Sequence, residues 1–400
     1  MIILILLKGK QVSKNLGKKR ILVIHNEYIN LGGEDVAVES EIKFLKEKFN
    51  VKTIIFKNDF KNLPLILFSI FTNRNPKSLK KLKLVLEDFH PDYVYVHNTW
   101  FTASLGVFNL LKQYNLEIIL KLHNFRYYCT KSPFVKKHIP DKSFCKACGN
   151  KYSHWVFNKY FEKSILKSIL ISIYGKRYIS IIKNSKLKLL VLTEHHKKFL
   201  KEEFGVFKNV KVFPNFIDLQ HILDEKVEKQ QKYLIYAGRI SQEKGVKELI
   251  DAFLDCNLKK IKLNIVGTGP ELENLKKLYE HETVHFLGEK SNNETLELIK
   301  NSEAVITATK LFEGQPMLLC EAASMGIPAI FPNSGGISEF YPDNYEYMYK
   351  QFEKEDLKKK IYLLHDKNLL KQEAERSKKY IDEYLSKARL STIFESILDD

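Results

Sequence analysis

The sequence predicts an α/β fold built as two Rossmann-like, doubly wound parallel-sheet domains that face a cleft. Three observations predict it. Short β-branched runs alternate with longer amphipathic stretches along the chain. Several of those runs are apolar at consecutive positions, as strands buried on both faces must be. The alternation also occurs twice, on either side of a polar stretch, "DLQHILDEKVEKQQK", from Asp218 to Lys232. The length of 400 residues agrees, since it exceeds what one hydrophobic core usually holds.

Residues 1–18 open with "MIILILL", which Lys8 and Lys10 cut short. No small-residue cleavage site follows, so they are read as an N-terminal extension rather than a signal peptide. A first domain, 19–215, starts with the strand "ILVIHN" (21–26). After it come Gly32 and Gly33, then a helix from near Glu34, marked by Val38, Ile42, Leu45 and Phe49 at helical spacing. Further strands are "VKTIIF" from Val51, "YVYVHN" from Tyr93, "EIILKLH" from Glu117, "KLLVLTE" from Lys188 and "KVFPN" from Lys211. A linker takes 216–232. The second domain, 233–375, repeats the pattern with "YLIYAGR" from Tyr233, "IKLNIVG" from Ile261, "VHFLG" from Val284, "AVITAT" from Ala304 and "PAIFPN" from Pro328. Residues 376–400 close the chain as a helix whose apolar face is Leu385, Leu390, Ile393, Phe394 and Ile397.

With 44% hydrophobic and 28% charged residues, the chain has the profile of a soluble globular protein. Its longest apolar stretches, such as "LPLILFSIF" (63–71), fall well short of the roughly 20 residues that span a bilayer. Net charge is +17 and unevenly spread: residues 1–200 hold 36 Lys and Arg against 14 Asp and Glu, giving +22, and residues 201–400 hold 29 against 34, giving −5. A lysine-rich genome would raise both halves alike, so one half is expected to face something anionic. Five cysteines, an odd number, favour a reducing compartment over a disulfide framework.

In open α/β sheets ligands sit beyond the carboxyl ends of the strands. Polar residues gather at those ends here. "GRISQEKGV" (238–246) follows a strand and carries Arg239 and Lys244, which can grip a diphosphate or be two solvated cations. "GTGPELENL" (267–275) is half of a dinucleotide fingerprint, with Leu272 in place of the third glycine. A plain turn with Pro270 at the helix start explains it equally well. In "KLFEGQPMLLCEAASMGIP" (310–328) Glu313 precedes a helix that Pro316 can start, and Glu321 lies about a turn and a half inside, leaning back toward that end. The loop "NSGGISE" (333–339) brings Gly335 and Gly336, which let backbone N–H groups approach an anion, as Gly32 and Gly33 would in the first domain unless they merely form a tight turn.

Taken in order, "GRISQEKG", "IVGTGPELENL", "VHFLGE", "EGQPMLLCEAASMGIPAI" and "SGGISE" resemble the retaining glycosyltransferases of the GT-B fold, family 4. "HNEYINLGGED", "VHNTWF", "LKLHNFRYYC", "VLTEHHKKFL" and "VFPNFID" resemble that family's acceptor-side elements, so the likeness runs from about Lys19 to the end. The resemblance implies the following roles. Arg239 and Lys244 hold the donor's diphosphate, Glu313 contacts sugar hydroxyls and Glu321 the ribose. Amides of Gly314, Gln315, Pro316, Met317 and Leu318 form the cap over phosphate and sugar (Pro316 lending no N–H), with Gly238 and Gly267 in the donor site. Gly32 and Gly33 form the opposite jaw. His123 lines the reacting centre, with Asn98, Asn124 and Arg126 on the acceptor side. Catalytic roles fall to His123, Glu313, Arg239 and Lys244. The implied donor is a UDP- or GDP-sugar, and the final helix packs back on the first domain.

No Asp-x-Asp occurs, so no catalytic metal or cofactor is expected, with Arg239 and Lys244 in its place. Cys129, Cys145 and Cys148 form a Cys-x15-Cys-x2-Cys array near His138 and His154. It could hold zinc, although a single Cys-x2-Cys reads more simply as a reduced loop. The basic, apolar stretch 154–186 either packs on the first sheet or lies on an anionic membrane. With the +22 half it points to a lipid-linked saccharide acceptor in bacterial surface-polysaccharide assembly, and to a cytoplasmic protein peripheral to the inner face of the cytoplasmic membrane. Competing classes are a nucleotide-sugar epimerase on the same fold, a nicotinamide dehydrogenase, which the missing third glycine opposes, and a catalytically silent binding partner, which the four intact site residues oppose. The sequence shows no recognised nucleic-acid motif.

Overall fold

The computed structural model describes residues 18–28, 32–58, 63–134, 137, 144–151, 164–184, 186–206, 208–217, 232–258 and 260–399. The extension and nearly all of the linker expected at 216–232 lie outside the described residues, as do His138 and His154.

Residues 20–212 form the first sheet and its helices. In chain order they are β1 (Arg20–Glu27), α1 (Gly33–Lys48), β2 (Asn50–Lys57), α2 (Leu63–Thr72), α3 (Pro76–Phe89), β3 (Tyr93–Val96), α4 (Gly106–Gln113), β4 (Glu117–Leu122), α5 (Arg126–Cys129), α6 (Ile165–Ile182), β5 (Lys188–Val191), α7 (Glu194–Phe204) and β6 (Val210–Val212). All neighbours pair in parallel, in the order β2-β1-β3-β4-β5-β6. β1 lies between two neighbours with helices on both faces, and its residues Ile21–Ile24 are fully buried, which is why this strand shows no polar alternation. Helix ends follow local chemistry. Asn75 accepts from Ser78 N–H ahead of Pro76, and Thr193 caps α7, which Gly205 ends in the left-handed region.

The second sheet is built from β7 (Tyr233–Ala237), α8 (Val246–Asp255), β8 (Lys262–Val266), α9 (Leu272–Leu278), β9 (Val284–Gly288), α10 (Asn292–Lys300), β10 (Ala304–Ile306), α11 (Met317–Ser324), β11 (Ala329–Asn333), β12 (Met348–Lys350), α12 (Lys354–Tyr362) and α13 (Lys367–Tyr384). Its order is β12-β11-β10-β7-β8-β9, again parallel throughout. Each sheet reverses its winding once, between β1 and β3 in the first and between β7 and β10 in the second. In open α/β sheets such a reversal is where the loops after the strands diverge and leave a crevice.

The C-terminal segment differs from the single helix expected over 376–400. Ser377, Ile381 and Leu385 are buried with the second domain, the last two in its hydrophobic core, and the chain breaks at Leu385–Ser386. A separate helix, α14 (Lys387–Asp399), puts Leu390, Phe394, Ile397 and Leu398 among Ile21, Val23, Phe44, Tyr95 and Phe213 of the first domain. Tyr93 Oη donates to Leu398 O at 2.8 Å and Lys188 Nζ to Ile397 O at 3.0 Å. A single apolar stripe drawn through Leu385 and Leu390 therefore merges two faces that are buried in different domains.

Candidate active site

Beyond β7, the turn Gly238–Ile240 leads to a short 3-10 turn, Gln242–Lys244, and then α8. Three glycines let the loops at this sheet end stack closely. A Cβ at Gly267 (φ +128) would lie 2.0 Å from Gly238 O, one at Gly269 2.1 Å from Ile240 O, and one at Gly245 (φ +68) 2.0 Å from Ala308 O. The amides of Gly238 and Gly267 are taken by Val266 O and Gly288 O, so these two glycines serve close packing. The stacking brings the β7 and β10 loops together. Lys244 Nζ meets Glu313 Oε1 at 2.6 Å, and Thr309 Oγ1 donates to the same oxygen at 3.0 Å. Lys244 is thus already paired, with its carboxylate partner held by the neighbouring loop. Arg239 is exposed and its guanidinium has no partner among the described residues.

The loop after β10 ends at α11. The N–H groups of Met317 and Leu318 find no acceptor among the described residues, as the first turn of a helix requires. Glu321, inside α11, is only 8% exposed, and its carboxylate has neither hydrogen bond nor ion pair among the described residues. Burial pushes its carboxyl up to about 7. Gly335 and Gly336 differ from the anion-binding role expected of them. Gly336 N–H is spent on Glu313 O at 2.9 Å, and a Cβ at Gly335 would lie 2.5 Å from that same oxygen. They let the 313 loop lie flat against the next strand end.

On the first domain, Gly33 opens α1, is exposed, and has no atom of the described residues within 4 Å of where its Cβ would be. Asp35 Oδ2 accepts Gly32 N–H at 2.8 Å, and its other oxygen meets His25 Nε2 at 2.8 Å, both side chains buried. Glu34 Oε2 accepts from Tyr28 Oη at 2.7 Å and from Asn124 Nδ2 at 3.0 Å. Arg126 donates to Tyr28 Oη and lies over the Tyr28 and Trp100 rings. His97 Nδ1 and His123 Nε2 are 2.9 Å apart, and burial holds both imidazoles well below their ordinary range, hence neutral. Asn98 Nδ2 donates to Asn26 O at 2.9 Å while its Oδ1 accepts Trp100 N–H, so Asn98 ties the β1 and β3 loops together.

The two walls touch. A Cβ at Gly314 would lie 3.7 Å from His123 O and 3.1 Å from Leu192, and one at Gly336 2.5 Å from Thr193. Gln315 exchanges two hydrogen bonds with the Asn215 backbone, and Asn215 Nδ2 reaches the Met317 sulfur at 3.7 Å. Glu339 accepts the N–H groups of Glu194 and His195, at 2.7 and 2.8 Å, across the interface. The Glu34–Asn124 contact, the residue step to His123 and the Gly314 contact thus connect the head of α1 to the head of α11. A cavity of about 420 Å³ opens elsewhere, between α8, α12 and residues 144–151, and is lined by none of Arg239, Lys244, Glu313 and Glu321.

His25, Asp35, Glu34, Tyr28, Thr309, Asn215 and Glu339 were not anticipated from the sequence. A hint existed for Asp35 alone, three residues after Gly32 at a helix start.

Residues 220–382 match the family model for glycosyl transferases group 1. The chain is 31% identical over 167 residues to the amylovoran biosynthesis glycosyltransferase AmsD of Erwinia amylovora, a match covering 39% of this chain and 46% of that protein. It is 25% identical over 386 residues to the uncharacterised glycosyltransferase MJ1069 of Methanocaldococcus jannaschii, covering 92% and 94%. Among solved structures it resembles HepE of Anabaena in complex with UDP and glucose, with a TM-score of 0.67, 14% identity, and 95% and 99% of the two chains covered. That likeness establishes the fold, GT-B.

Proposed function

The chain carries a group 1 glycosyl transferase domain in a GT-B fold, and from that premise we propose that it acts as a retaining glycosyltransferase. It moves a sugar from a UDP- or GDP-linked donor to a lipid-linked saccharide in cell-surface polysaccharide assembly. One observation supports the reading: the exposed Arg239, the Lys244–Glu313 ion pair and the α11 head amides, which have no acceptor among the described residues, all follow strands beside the switch point of the second sheet, and the 313–315 loop touches His123 and Asn215 of the first domain. Departure of a nucleoside diphosphate builds negative charge on its terminal phosphate. Arg239 and the amides of Met317 and Leu318 stabilise that charge, each such contact being worth roughly 3 kcal/mol. Lys244 lies between phosphate and Glu313, so arrival of the diphosphate redirects the ammonium and leaves Glu313 to accept sugar hydroxyls. Glu321 takes the ribose diol. His123, neutral and backed by His97, donates or accepts a hydrogen bond beside the anomeric carbon rather than contributing a cation. Cationic side chains serve the leaving group, so turnover needs no added magnesium or manganese in this reading.

HepE was solved with UDP and glucose, AmsD is named for amylovoran biosynthesis, and WaaB, another fold neighbour (TM-score 0.57), is a lipopolysaccharide outer core galactosyltransferase. These names support the donor and pathway class. The acceptor side is supported by an exposed apolar face where α2 meets α6, with Phe68 49%, Phe71 55% and Leu166 69% exposed, on the basic half of the chain. No helix among the described residues is long and apolar enough to cross a membrane. Thermal stabilisation across UDP-, GDP- and ADP-sugars tests the donor: one of them should raise the melting temperature in a dose-dependent way, and none doing so overturns the reading. Flotation with anionic but not neutral liposomes tests the membrane face.

A further inference from the structure

We propose that Cys129, Cys145 and Cys148 together bind one zinc ion, which fixes a knuckle joining the acceptor-side helix α5 to the donor-domain loop that ends at Glu313. The three sulfurs all lie within 4.8 Å of one another, and Cys129 and Cys145 Sγ are 3.6 Å apart. Three corners of a tetrahedron with Zn–S near 2.3 Å are separated by about 3.8 Å, so the trio needs only a small contraction to coordinate. All three are buried, at 0%, 1% and 4% exposure, and soft thiolates select zinc over the hard cations.

The backbone is built for the same end. Cys145 O accepts the N–H groups of Cys148 and Gly149, at 3.3 and 2.7 Å, and Cys145 N–H donates to Asn150 O at 2.8 Å. Phe144 and Lys151 close the hairpin with an antiparallel bridge. Gly149, at φ +79, turns the chain where a Cβ would strike Glu243 at 2.5 Å. This tight turn brings both sulfurs of Cys-Lys-Ala-Cys to the side where Cys129 ends α5.

A disulfide fits poorly. It needs sulfurs about 2.05 Å apart and would leave the third thiol buried beside it. Cys256 and Cys320, by contrast, stand singly in the second core and belong to no metal-ligand cluster among the described residues. The fourth coordination position is left to water. Binding releases the thiol protons to solvent.

The knuckle's other side grips the second domain. Phe312 N–H donates to Lys146 O at 2.7 Å, and Phe144 meets the Phe352 ring at 5.5 Å. Phe312 precedes Glu313, and Arg126 begins α5, so the metal would link both walls of the cleft through one hairpin. It serves as a structural tie, with no part in the sugar transfer, and stands or falls independently of the donor.

The test uses the full chain, purified in reductant without chelator, with metal measured by mass spectrometry. One zinc per chain is expected. Cobalt substitution should give the thiolate-to-metal charge-transfer band. Cys145→Ser and Cys148→Ser should abolish both signals, and Cys256→Ser should leave them intact. Should the serine variants fail to fold, the wild type is stripped by chelator instead: its melting temperature should fall and recover on adding zinc but not magnesium. The proposal is overturned if reduced wild-type protein holds no zinc and gives no cobalt–thiolate band, or if unreduced protein carries a disulfide among these three cysteines.

Discussion

Glu321 gives the sharpest test of the proposed donor site, because the fold holds a carboxyl where no cation or donor among the described residues meets it. Burial raises it from an ordinary 4.5 to about 7, a difference worth about 3 kcal/mol between the two protonation states. The sign follows from the direction of the shift. Below pH 4.5 the carboxyl is protonated in both folded and unfolded chains and contributes no penalty. As pH rises toward and through 7 the folded state must ionise a buried group, and stability is lost across that window. Glu321→Gln keeps the shape and removes the titration. Relative to wild type, the variant should therefore gain up to about 3 kcal/mol between pH 5 and pH 8, or roughly 6–10 °C for a domain of this size. Thermal melts of both proteins over that range, followed by near-ultraviolet circular dichroism, read it directly. The same carboxylate is the proposed ribose ligand, so nucleotide affinity should rise with pH through 7 in the wild type and be weak and flat in the variant. Parallel pH profiles would refute the desolvation argument, and unimpaired nucleotide binding by Glu321→Gln would remove the residue from the site.

Three further outcomes follow from other parts of the molecule. Arg239→Ala should leave the melting temperature unchanged, since its side chain is exposed and without a partner among the described residues, while weakening UDP or GDP binding about 100-fold by calorimetry. Gly245→Ala forces a Cβ into Ala308 O at 2.0 Å and a left-handed φ of +68°, so it should cost more than about 2 kcal/mol in chemical unfolding and disturb Lys244 beside it. Phe394→Ala empties a fully buried position where α14 meets Tyr95 and Phe213, and should cost about 3–5 kcal/mol, seen as a lower first transition on heating.

Much of the frame was legible because its signals are local. β-branched runs mark strands buried on both faces, and "ILVIHN" and "YLIYA" became the strands beside the two switch points. Arg239, Lys244 and Glu313 could be nominated because each lies in a loop that follows a strand, and Glu321 because it lies a turn and a half inside the helix that follows. What stayed hidden is pairing across loops. Nothing near Asn124 announces Glu34, 90 positions away, and nothing near Gln315 announces Asn215. The pair Gly335–Gly336 was read as an anion-binding turn because two glycines permit both close approach and free amides. Only the position of Glu313 O decides between them. The C-terminal helix was drawn too long for a similar reason, since a shared apolar periodicity does not say which core each turn enters.

The central claim is that groups from both domains close on one diphosphate. Amide hydrogen exchange with and without the stabilising nucleotide measures it directly. The account predicts protection of the first turn of α1 at Gly33–Val38 together with 238–246 and the head of α11 at Gly314–Leu319. Protection confined to the 420 Å³ cavity beside α8 and α12, or to neither domain's strand ends, would contradict it.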